Sequence, residues 1–377
     1  MLFLKSLPAD RLARNDFLWP DKVGAIVESE TWNPAPVCGG GLHGLINGEG
    51  NTGLLCDDDN AIWYAFESVD EHGNPSNAET AIIDDEKGKC RIAIIRAVGT
   101  RTEATTWLVK QGCKHVPYAA IIDDDECSDI SVGKRSSVIA GDTSTIAIGD
   151  SGKTIAEDDC NVAASGDNNI VIASDTATLN LDGAYNTAIA SARAEVTSGR
   201  HAKVISGCHS TVKVGEGSDI IGSNNETIAT GDHSNIITEH FGKITTGDGS
   251  VCIAGPSSNV IGGTSSKIVG GDHSIVQTEN SGIAIAGNYG SVHADNSSIA
   301  IVGGKGVARC GYNGIAIAGV EGAVYADAGS LLALRTAGGK YVVAMVGENG
   351  IKPDTYYRLN DENQFVEVPK TELQGQR

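Results

Sequence analysis

Apolar residues recur through the middle of the chain at a spacing of about 16 residues. One series comprises Ile139, Ile155, Ile172, Ile189, Ile205, Ile221, Ile237, Ile253, Val269, Ile285, Ile301 and Ile317. A second series with the same spacing comprises Ile146, Val162, Leu179, Val196, Val212, Ile228, Ile244, Val260, Val276, Val292, Ala308 and Val324. A short fixed period indicates one supersecondary unit stacked many times.

Each period holds two short, β-branched segments separated by Gly, Asp, Asn and Ser. Such segments are too short for helices and favour strands. We therefore predict a parallel β-solenoid of about thirteen coils with two strands per coil. The first coil is expected near Tyr118, since Ile130 lies one period before Ile146. At the corners, Gly is expected to supply positive φ, and Asp or Asn to satisfy turn backbone groups.

The residues beside each series indicate what its sheet faces. Neighbours of the second series are mostly polar, for example Thr145, Asn161 and Lys213, so that sheet is expected to face water. The first series has apolar neighbours on both sides, so its sheet should be covered on both faces. The first series is expected to point inward, so the outward residues beside it are predicted to form an oligomer interface of Val138, Val171, Val204, Ile220, Ile236, Ile268, Ala284, Ala300 and Ala316.

An apolar stripe of this length is too large to leave in water. Self-association through the stripe is the simplest cover, and closed symmetry favours a dimer or a trimer. The coils SGIAIAGNYGSVHADN, SSIAIVGGKGVARCGY and NGIAIAGVEGAVYADA resemble the head repeats of trimeric autotransporter adhesins. That resemblance covers roughly residues 118–338 and implies a trimer of parallel solenoids, so a homotrimer is favoured over a dimer.

Residues 1–116 are predicted to form an α+β head domain, residues 117–338 the solenoid, and residues 339–377 capping strands with a disordered tail from 369. Candidate head strands are Gly24–Val27, Ala61–Phe66, Thr80–Ile83 and Arg91–Val98, with a helix that begins after Thr100 and runs through Glu103 to Val109. In the C-terminal part, KYVVAMVG, YYRL and FVEV are expected to be strands that cover the open solenoid edge.

The segment from Trp32 to Leu45 contains Cys38, three successive glycines and His43. Cys38 and His43 are candidates for a nucleophile and a base. The alternative is a tight strand-to-helix entry in which His43 satisfies backbone groups. Further candidate catalytic residues are Glu49, Arg96 and Glu103, and the glycine run does not fit a P-loop.

The head segment, together with WYAFESVDE, IIDDEKGKCRIAIIRAVGTRTEATTWL and the ending VGENGIKPDTYYRL, resembles an uncharacterised family of bacteria and their prophages. Its members join a C-G-x-G-L-H domain to Gly- and Ala-rich repeats. The resemblance implies this domain layout and a bacterial or prophage origin, and it implies no reaction.

The formal charge of −20 argues against direct binding to nucleic acid or anionic membranes. The acidic clusters Asp57–Asp59 and Asp123–Glu126 lack the alternation of an EF-hand loop, so we expect solvated turns, with no metal and no cofactor. The chain has 9 Cys without a CxxC pair, which favours a reduced compartment. Cytoplasmic localisation is expected, with virion association or non-classical export as alternatives.

These observations favour a noncatalytic, oligomeric structural or interaction protein. The solenoid would be an oligomerising spacer, and the head would recognise a protein partner. Two alternatives stay open, namely a small transferase or hydrolase in the head, displayed as a delivered effector, and an acidic inhibitor that mimics nucleic acid.

Overall fold

The computed structural model describes residues 1–50, 52–56, 58–123 and 125–373, and within them the protein is mainly β. Its main feature is a parallel β-solenoid of about thirteen turns, with equivalent positions roughly 16 residues apart. The chain divides into two compact units, Met1–Ser174 and Asp175–Arg377. The predicted fold class is therefore confirmed.

The first unit begins with a sheet of seven described strands, all antiparallel to their neighbours. The strands are β1 (Leu2–Leu7), β2 (Ile26–Glu28), β3 (Leu42–Ile46), β4 (Ile62–Ser68), β5 (Thr80–Ile82), β6 (Lys87–Cys90) and β7 (Ile92–Gly99). Their order is β2-β7-β4-β1-β3-β6-β5. Short 3₁₀ helices span Arg14–Asp16 and Thr52–Leu54.

The predicted head strands correspond to β2, β4, β5 and β7, whereas β1, β3 and β6 were not anticipated. The expected strand-to-helix entry after the glycine run is wrong, because the run leads into strand β3. The predicted helix is α1 (Arg101–Lys110), whose Ala104, Thr105 and Leu108 are buried. The core beneath the sheet contains Phe3, Trp19, Tyr64 and Phe66 among its buried residues.

The solenoid strands of the first unit alternate between two parallel sheets. They are β8 (Ala120–Asp123), β9 (Asp129–Val132), β10 (Ser137–Ala140), β11 (Thr145–Ile148), β12 (Lys153–Ala156), β13 (Asn161–Ala164) and β14 (Ile170–Ala173). Strands β8, β10, β12 and β14 pair in one sheet, and β9, β11 and β13 pair in the other. The register joins Ile130 to Ile146, so the first coil starts where the period predicts.

The second unit continues the same alternation. Its parallel strands are β15 (Thr178–Leu181), β16 (Thr187–Ala190), β17 (Glu195–Ser198), β18 (Lys203–Ser206), β19 (Thr211–Val214), β20 (Asp219–Ile221), β21 (Thr227–Thr230), β22 (Asn235–Thr238), β23 (Lys243–Thr246), β24 (Val251–Ala254), β25 (Asn259–Gly262), β26 (Lys267–Gly270), β27 (Ile275–Thr278), β28 (Ile283–Ala286), β29 (Ser291–Ala294), β30 (Ile299–Val302), β31 (Val307–Cys310), β32 (Ile315–Ala318), β33 (Ala323–Ala326) and β34 (Leu331–Arg335). The even-numbered strands form one sheet and the odd-numbered strands the other.

Three antiparallel strands close the second unit. Strand β35 (Tyr341–Met345) pairs with β34, β36 (Thr355–Leu359) pairs with β33, and β37 (Phe365–Val368) pairs with β36. The last strand of each solenoid sheet is thereby covered, which confirms the predicted cap. The expected disorder from 369 is wrong for Lys370–Leu373, which form the short helix α2. Residues 374–377 of that expected tail lie outside the described residues.

The predicted facing of the first series is wrong. The residues expected to form an outward interface are all buried inside the solenoid, namely Val138, Val171, Val204, Ile220, Ile236, Ile268, Ala284, Ala300 and Ala316. The series itself points outward, exposed from Ile139 to Val269 and partly exposed at Ile285, Ile301 and Ile317.

A desolvation argument explains this register. Side chains two residues apart share a strand face, and Lys153, Lys203 and Lys267 lie two positions before Ile155, Ile205 and Val269. Turning the series inward would bury these unpaired ammonium groups, at a cost of several kcal/mol for each. No lysine or arginine lies two positions before a member of the second series, and its residues from Ile146 to Val324 are buried as predicted. Among those upstream positions only Glu226, before Ile228, carries a carboxyl group, and it is buried with the series.

The corners use glycine differently from the prediction. Most corners place a residue other than glycine at positive φ, such as Thr143, His201 or Ser257. Glycines such as Gly149 and Gly271 allow successive coils to approach, because a Cβ at Gly271 would lie 2.6 Å from the Pro256 backbone nitrogen. The expected positive φ therefore applies to few of these corner glycines.

Asp and Asn satisfy backbone groups between coils, as predicted. Asp232 Oδ1 accepts a hydrogen bond from the Asp248 backbone N–H at 2.8 Å, and Asp248 Oδ1 accepts from the Thr264 backbone N–H at 2.7 Å. Buried serines repeat the arrangement, with Ser250 Oγ accepting from the Ser234 backbone N–H at 3.2 Å. These ladders hold each coil in register with the next.

The acidic clusters lie at chain turns. Asp58, Asp59, Asp125 and Glu126 are exposed. Asp57 and Asp124, which belong to the same clusters, lie outside the described residues.

Candidate binding site

A cavity of about 620 Å³ opens in the first unit beside strands β1, β3 and β6. Its lining includes the Gly39–Gly41 run. Two lysines from neighbouring parts of the sheet also line it, Lys5 on β1 and Lys87 on β6. An apolar part of the wall is formed by Phe17, Leu18 and other residues, among them Ala13, Trp19 and Leu42. The cavity is within the size range typical of small-molecule sites.

The glycine-rich segment is held in place by a buried lysine. Lys89 is fully buried, and its Nζ donates hydrogen bonds to the carbonyl oxygens of Val37 and Gly39, both at 2.8 Å. Desolvation lowers the pKa of Lys89. Gly41 has φ +141°, and a Cβ there would lie 3.1 Å from the Trp32 ring, so the loop needs glycine at this position.

Cys38 and His43 both line this cavity, but their hydrogen bonds go to other groups. The Gly39 backbone N–H donates to His43 Nε2 at 3.3 Å, and His43 also has a hydrogen bond with the Gly41 backbone. Lys87 Nζ donates to Cys38 Sγ at 3.4 Å. His43 is thus used to satisfy the backbone of the loop.

Burial lowers the pKa of His43 to about 4, and the charges of Lys87, Lys5 and Lys89 act in the same direction. The imidazole is therefore neutral at pH 7. A neutral ring whose Nε2 already accepts a backbone hydrogen bond is poorly arranged to take a proton from Cys38.

Lys5 extends over the buried indole of Trp19, with Nζ 5.4 Å from the ring centroid. Its Nζ makes one long hydrogen bond, at 3.4 Å, to the His43 carbonyl oxygen. Desolvation lowers the pKa of Lys5 to about 8, and the charge of Lys87 adds to that effect. The ammonium group of Lys5 is consequently poorly compensated.

The lysines of this region have no acidic partner among the described residues. None of Lys5, Lys87 and Lys89 forms an ion pair within 4.0 Å with a described carboxylate. Asp16 and Glu30 line the same cavity without such a contact. A locally cationic wall of this kind stands out in a chain of formal charge −20.

The other candidate residues from the sequence lie elsewhere. Glu49 lines a separate cavity with Cys113 and His115. Arg96 donates to Glu67 Oε2 at 2.7 Å beside another cavity. Glu103 belongs to the capping box of α1, where its Oε2 accepts from the Thr100 backbone N–H at 2.6 Å. The five candidates therefore do not assemble into one site.

The two lysines that line the cavity, Lys5 and Lys87, and the loop-anchoring Lys89 were not identified from the sequence. One local signal was present, because Lys87 and Lys89 are two positions apart in KGKC and so share a strand face. In the described part of the chain, no three His, Cys, Asp or Glu side chains are grouped to hold a metal ion. No helix of the described residues has the length and apolar character needed to cross a membrane.

Comparisons with protein-family models, with curated proteins and with solved structures found no match to this chain.

Proposed function

We propose that the protein is a noncatalytic structural or interaction protein whose solenoid associates with further copies of itself through the outward first series. The observation that carries the proposal is the exposed row of Ile189, Ile205, Ile221, Ile237, Ile253 and Val269 on one sheet of the second unit, extended by the partly exposed Ile285, Ile301 and Ile317. Exposed apolar patches of this extent mark interaction surfaces.

The chemistry of the face supports an apolar contact. Each strand of this sheet has a second outward position, two residues before the member of the row. In the last coils this position is also apolar, as at Ile283, Ile299, Ile315 and Leu331. The outward positions of the other sheet are instead mostly polar, as at Thr197, Lys213 and Thr245. The two faces of the solenoid therefore differ in the partners that they favour.

The regularity of the row supports a second copy as the partner. Its residues lie on neighbouring strands, roughly 4.8 Å apart. A row with a constant spacing is complementary to another row with the same spacing, because side chains of one copy fit between those of the other. An unrelated surface would match this repeat over only a few residues.

The proposed assembly is a homo-oligomer, with a trimer favoured over a dimer by the likeness to adhesin head repeats. Residues 1–116 would form the recognition head. Bacterial or prophage origin and cytoplasmic localisation, with virion association as an alternative, belong to the same proposal. The partners of Cys38 and His43 favour binding over catalysis in the head, and the nucleic-acid-mimic alternative stays a prediction.

Light scattering coupled to size exclusion tests the assembly at micromolar concentration. We expect the wild-type mass to be an integer multiple of the chain mass. The variant Ile221→Asp/Ile253→Asp should shift it to the monomer mass, because it places unpaired charges in the contact. The matched control Thr197→Asp/Thr245→Asp adds the same charge to the outward face of the other sheet and should keep the wild-type mass. A monomeric wild type, or an assembled Ile221→Asp/Ile253→Asp variant, would overturn the proposal.

A further inference from the structure

We propose that the cavity of the first unit binds a small organic anion, whose phosphate or carboxylate group lies against the Lys5 and Lys87 ammonium groups and whose apolar part packs against Phe17 and Leu18. This inference rests on the proposed recognition role of the head. It does not depend on self-association of the solenoid.

The first argument is the missing counter-charge. A desolvated ammonium group is normally paired with a carboxylate or a bound anion. Lys5 has only a carbonyl at 3.4 Å and the Trp19 ring, and the hydrogen bond of Lys87 goes to Cys38 Sγ. The desolvation argument applies to Lys5, since Lys87 is only half-buried, and neither lysine has an ion-pair partner among the described carboxylates. An anion in the cavity would supply that partner.

The second argument is the way in which the cationic wall is built. Lys5 and Lys87 lie on β1 and β6, on either side of β3, so the sheet fixes the backbone of each, and both side chains line the cavity. The loop that forms the facing wall is anchored by the two hydrogen bonds of buried Lys89. The ring of His43 is held by the loop backbone and is neutral at pH 7, so the positive charge on this side of the cavity comes from Lys5 and Lys87. Such a preorganised arrangement lowers the cost of ordering the site on binding.

The third argument concerns the apolar part of the ligand. Leu18 is exposed at the cavity, and the partly buried ring of Phe17 lies next to it in the wall. Inorganic phosphate would leave these side chains in water, whereas an aromatic or aliphatic group would cover them. The wall therefore favours an anion with an apolar body over a free inorganic ion.

Isothermal titration of the full chain tests the inference with four probes. These are phenyl phosphate, benzoate, inorganic phosphate and the neutral benzyl alcohol. We expect saturable binding of phenyl phosphate or benzoate, and the stronger of the two identifies the anionic group. Inorganic phosphate should bind more weakly, and benzyl alcohol should show no saturable binding.

The variants Lys5→Met and Lys87→Met each remove one charge and keep an apolar stem. Each should weaken binding of the better probe about tenfold or more, as expected for a charge-assisted contact. The control Lys110→Met removes an exposed lysine on α1 and should bind like the wild type. Thermal unfolding of each variant establishes that it is folded, and the half-buried Lys87 supplies a second variant if the Lys5 substitution unfolds the head.

Two results would overturn the inference. One is the absence of saturable binding by both aromatic anions, and the other is unchanged affinity in a folded Lys5→Met or Lys87→Met variant. Molecular mass is measured in the same samples. An oligomer that fails to bind the probes contradicts only the anion site, whereas a monomer that binds them contradicts only self-association.

Discussion

Ile236 and Ile237 are consecutive and chemically identical residues of strand β22, yet the first is 1% exposed and the second 51% exposed. Ile236 packs between the two sheets, and Ile237 belongs to the outward row. The two positions differ only in the face of the strand from which the side chain projects. This pair therefore separates the contribution of the solenoid core from that of the outer face.

Replacing Ile236 with Ala should destabilise the chain by about 2–5 kcal/mol, because it removes buried methyl groups and leaves a cavity. Ile237→Ala should change the free energy of unfolding by about 0.5 kcal/mol or less in dilute solution. Urea unfolding followed by circular dichroism measures both. Equal losses from the two substitutions would contradict the assigned facing.

The period was sufficient to predict the solenoid, its strands and its first coil, because it repeats through a dozen coils. The alternation of apolar and polar residues could not show which side chains point inward where two consecutive residues are both apolar, as at Ile236 and Ile237. The charges two residues upstream, at Lys153, Lys203 and Lys267, carried the missing information. Weighing the cost of burying them would have given the correct register.

The head was harder to predict because its site depends on strand order. Strands β3 and β6 contain Gly44 and Gly88, which are unfavourable in strands in general. The two glycines are direct partners, and a Cβ at Gly44 would lie 2.9 Å from the Phe66 ring. Close packing therefore requires glycine in these strands. A prediction based on local strand propensity alone assigns such glycine-containing segments to loops. Because β3 and β6 were not predicted, the presence of Lys5 and Lys87 at one cavity could not be predicted either.

Glu103 should behave as a helix-capping residue. Glu103→Ala removes the acceptor of the Thr100 backbone N–H and should cost about 1 kcal/mol of stability, measured by urea unfolding with tryptophan fluorescence. Glu103→Gln keeps an acceptor and should recover most of the loss. Both variants should bind phenyl phosphate like the wild type. Loss of binding in a fully folded Glu103→Gln variant would show that Glu103 acts in the cavity after all.

The ladder of corner carboxylates should stabilise the contact between coils. Asp248→Ala leaves the Thr264 backbone N–H without its acceptor and should lower stability by about 1 kcal/mol. Asp248→Asn retains a side-chain oxygen and serves as the matched variant, so it should remain close to the wild type. The urea midpoint measures the difference, and an Asn variant as unstable as the Ala variant would contradict the ladder.

Glu226 should make the stability of the solenoid fall as the pH rises. Its side chain is buried, Ser206 Oγ donates to Oε1 at 2.8 Å, and Oε2 has no hydrogen-bond partner. Desolvation raises its pKa from 4.5 to about 7. The folded chain therefore keeps a proton that the unfolded chain releases, and stability declines between about pH 4.5 and pH 7. The full effect, reached above that window, is about 3 kcal/mol.

Glu226→Gln removes the charge and keeps an oxygen that accepts from Ser206. Its stability relative to the wild type should therefore rise between pH 4.5 and pH 7 and stay level above that range. Urea midpoints of both proteins across this range give the difference directly, which cancels the titration of every other group. The control Glu216→Gln removes an exposed carboxylate from the preceding turn of the solenoid. It should leave the dependence of stability on pH as in the wild type. If the difference between Glu226→Gln and the wild type is independent of pH, Glu226 ionises normally and must be reached by water.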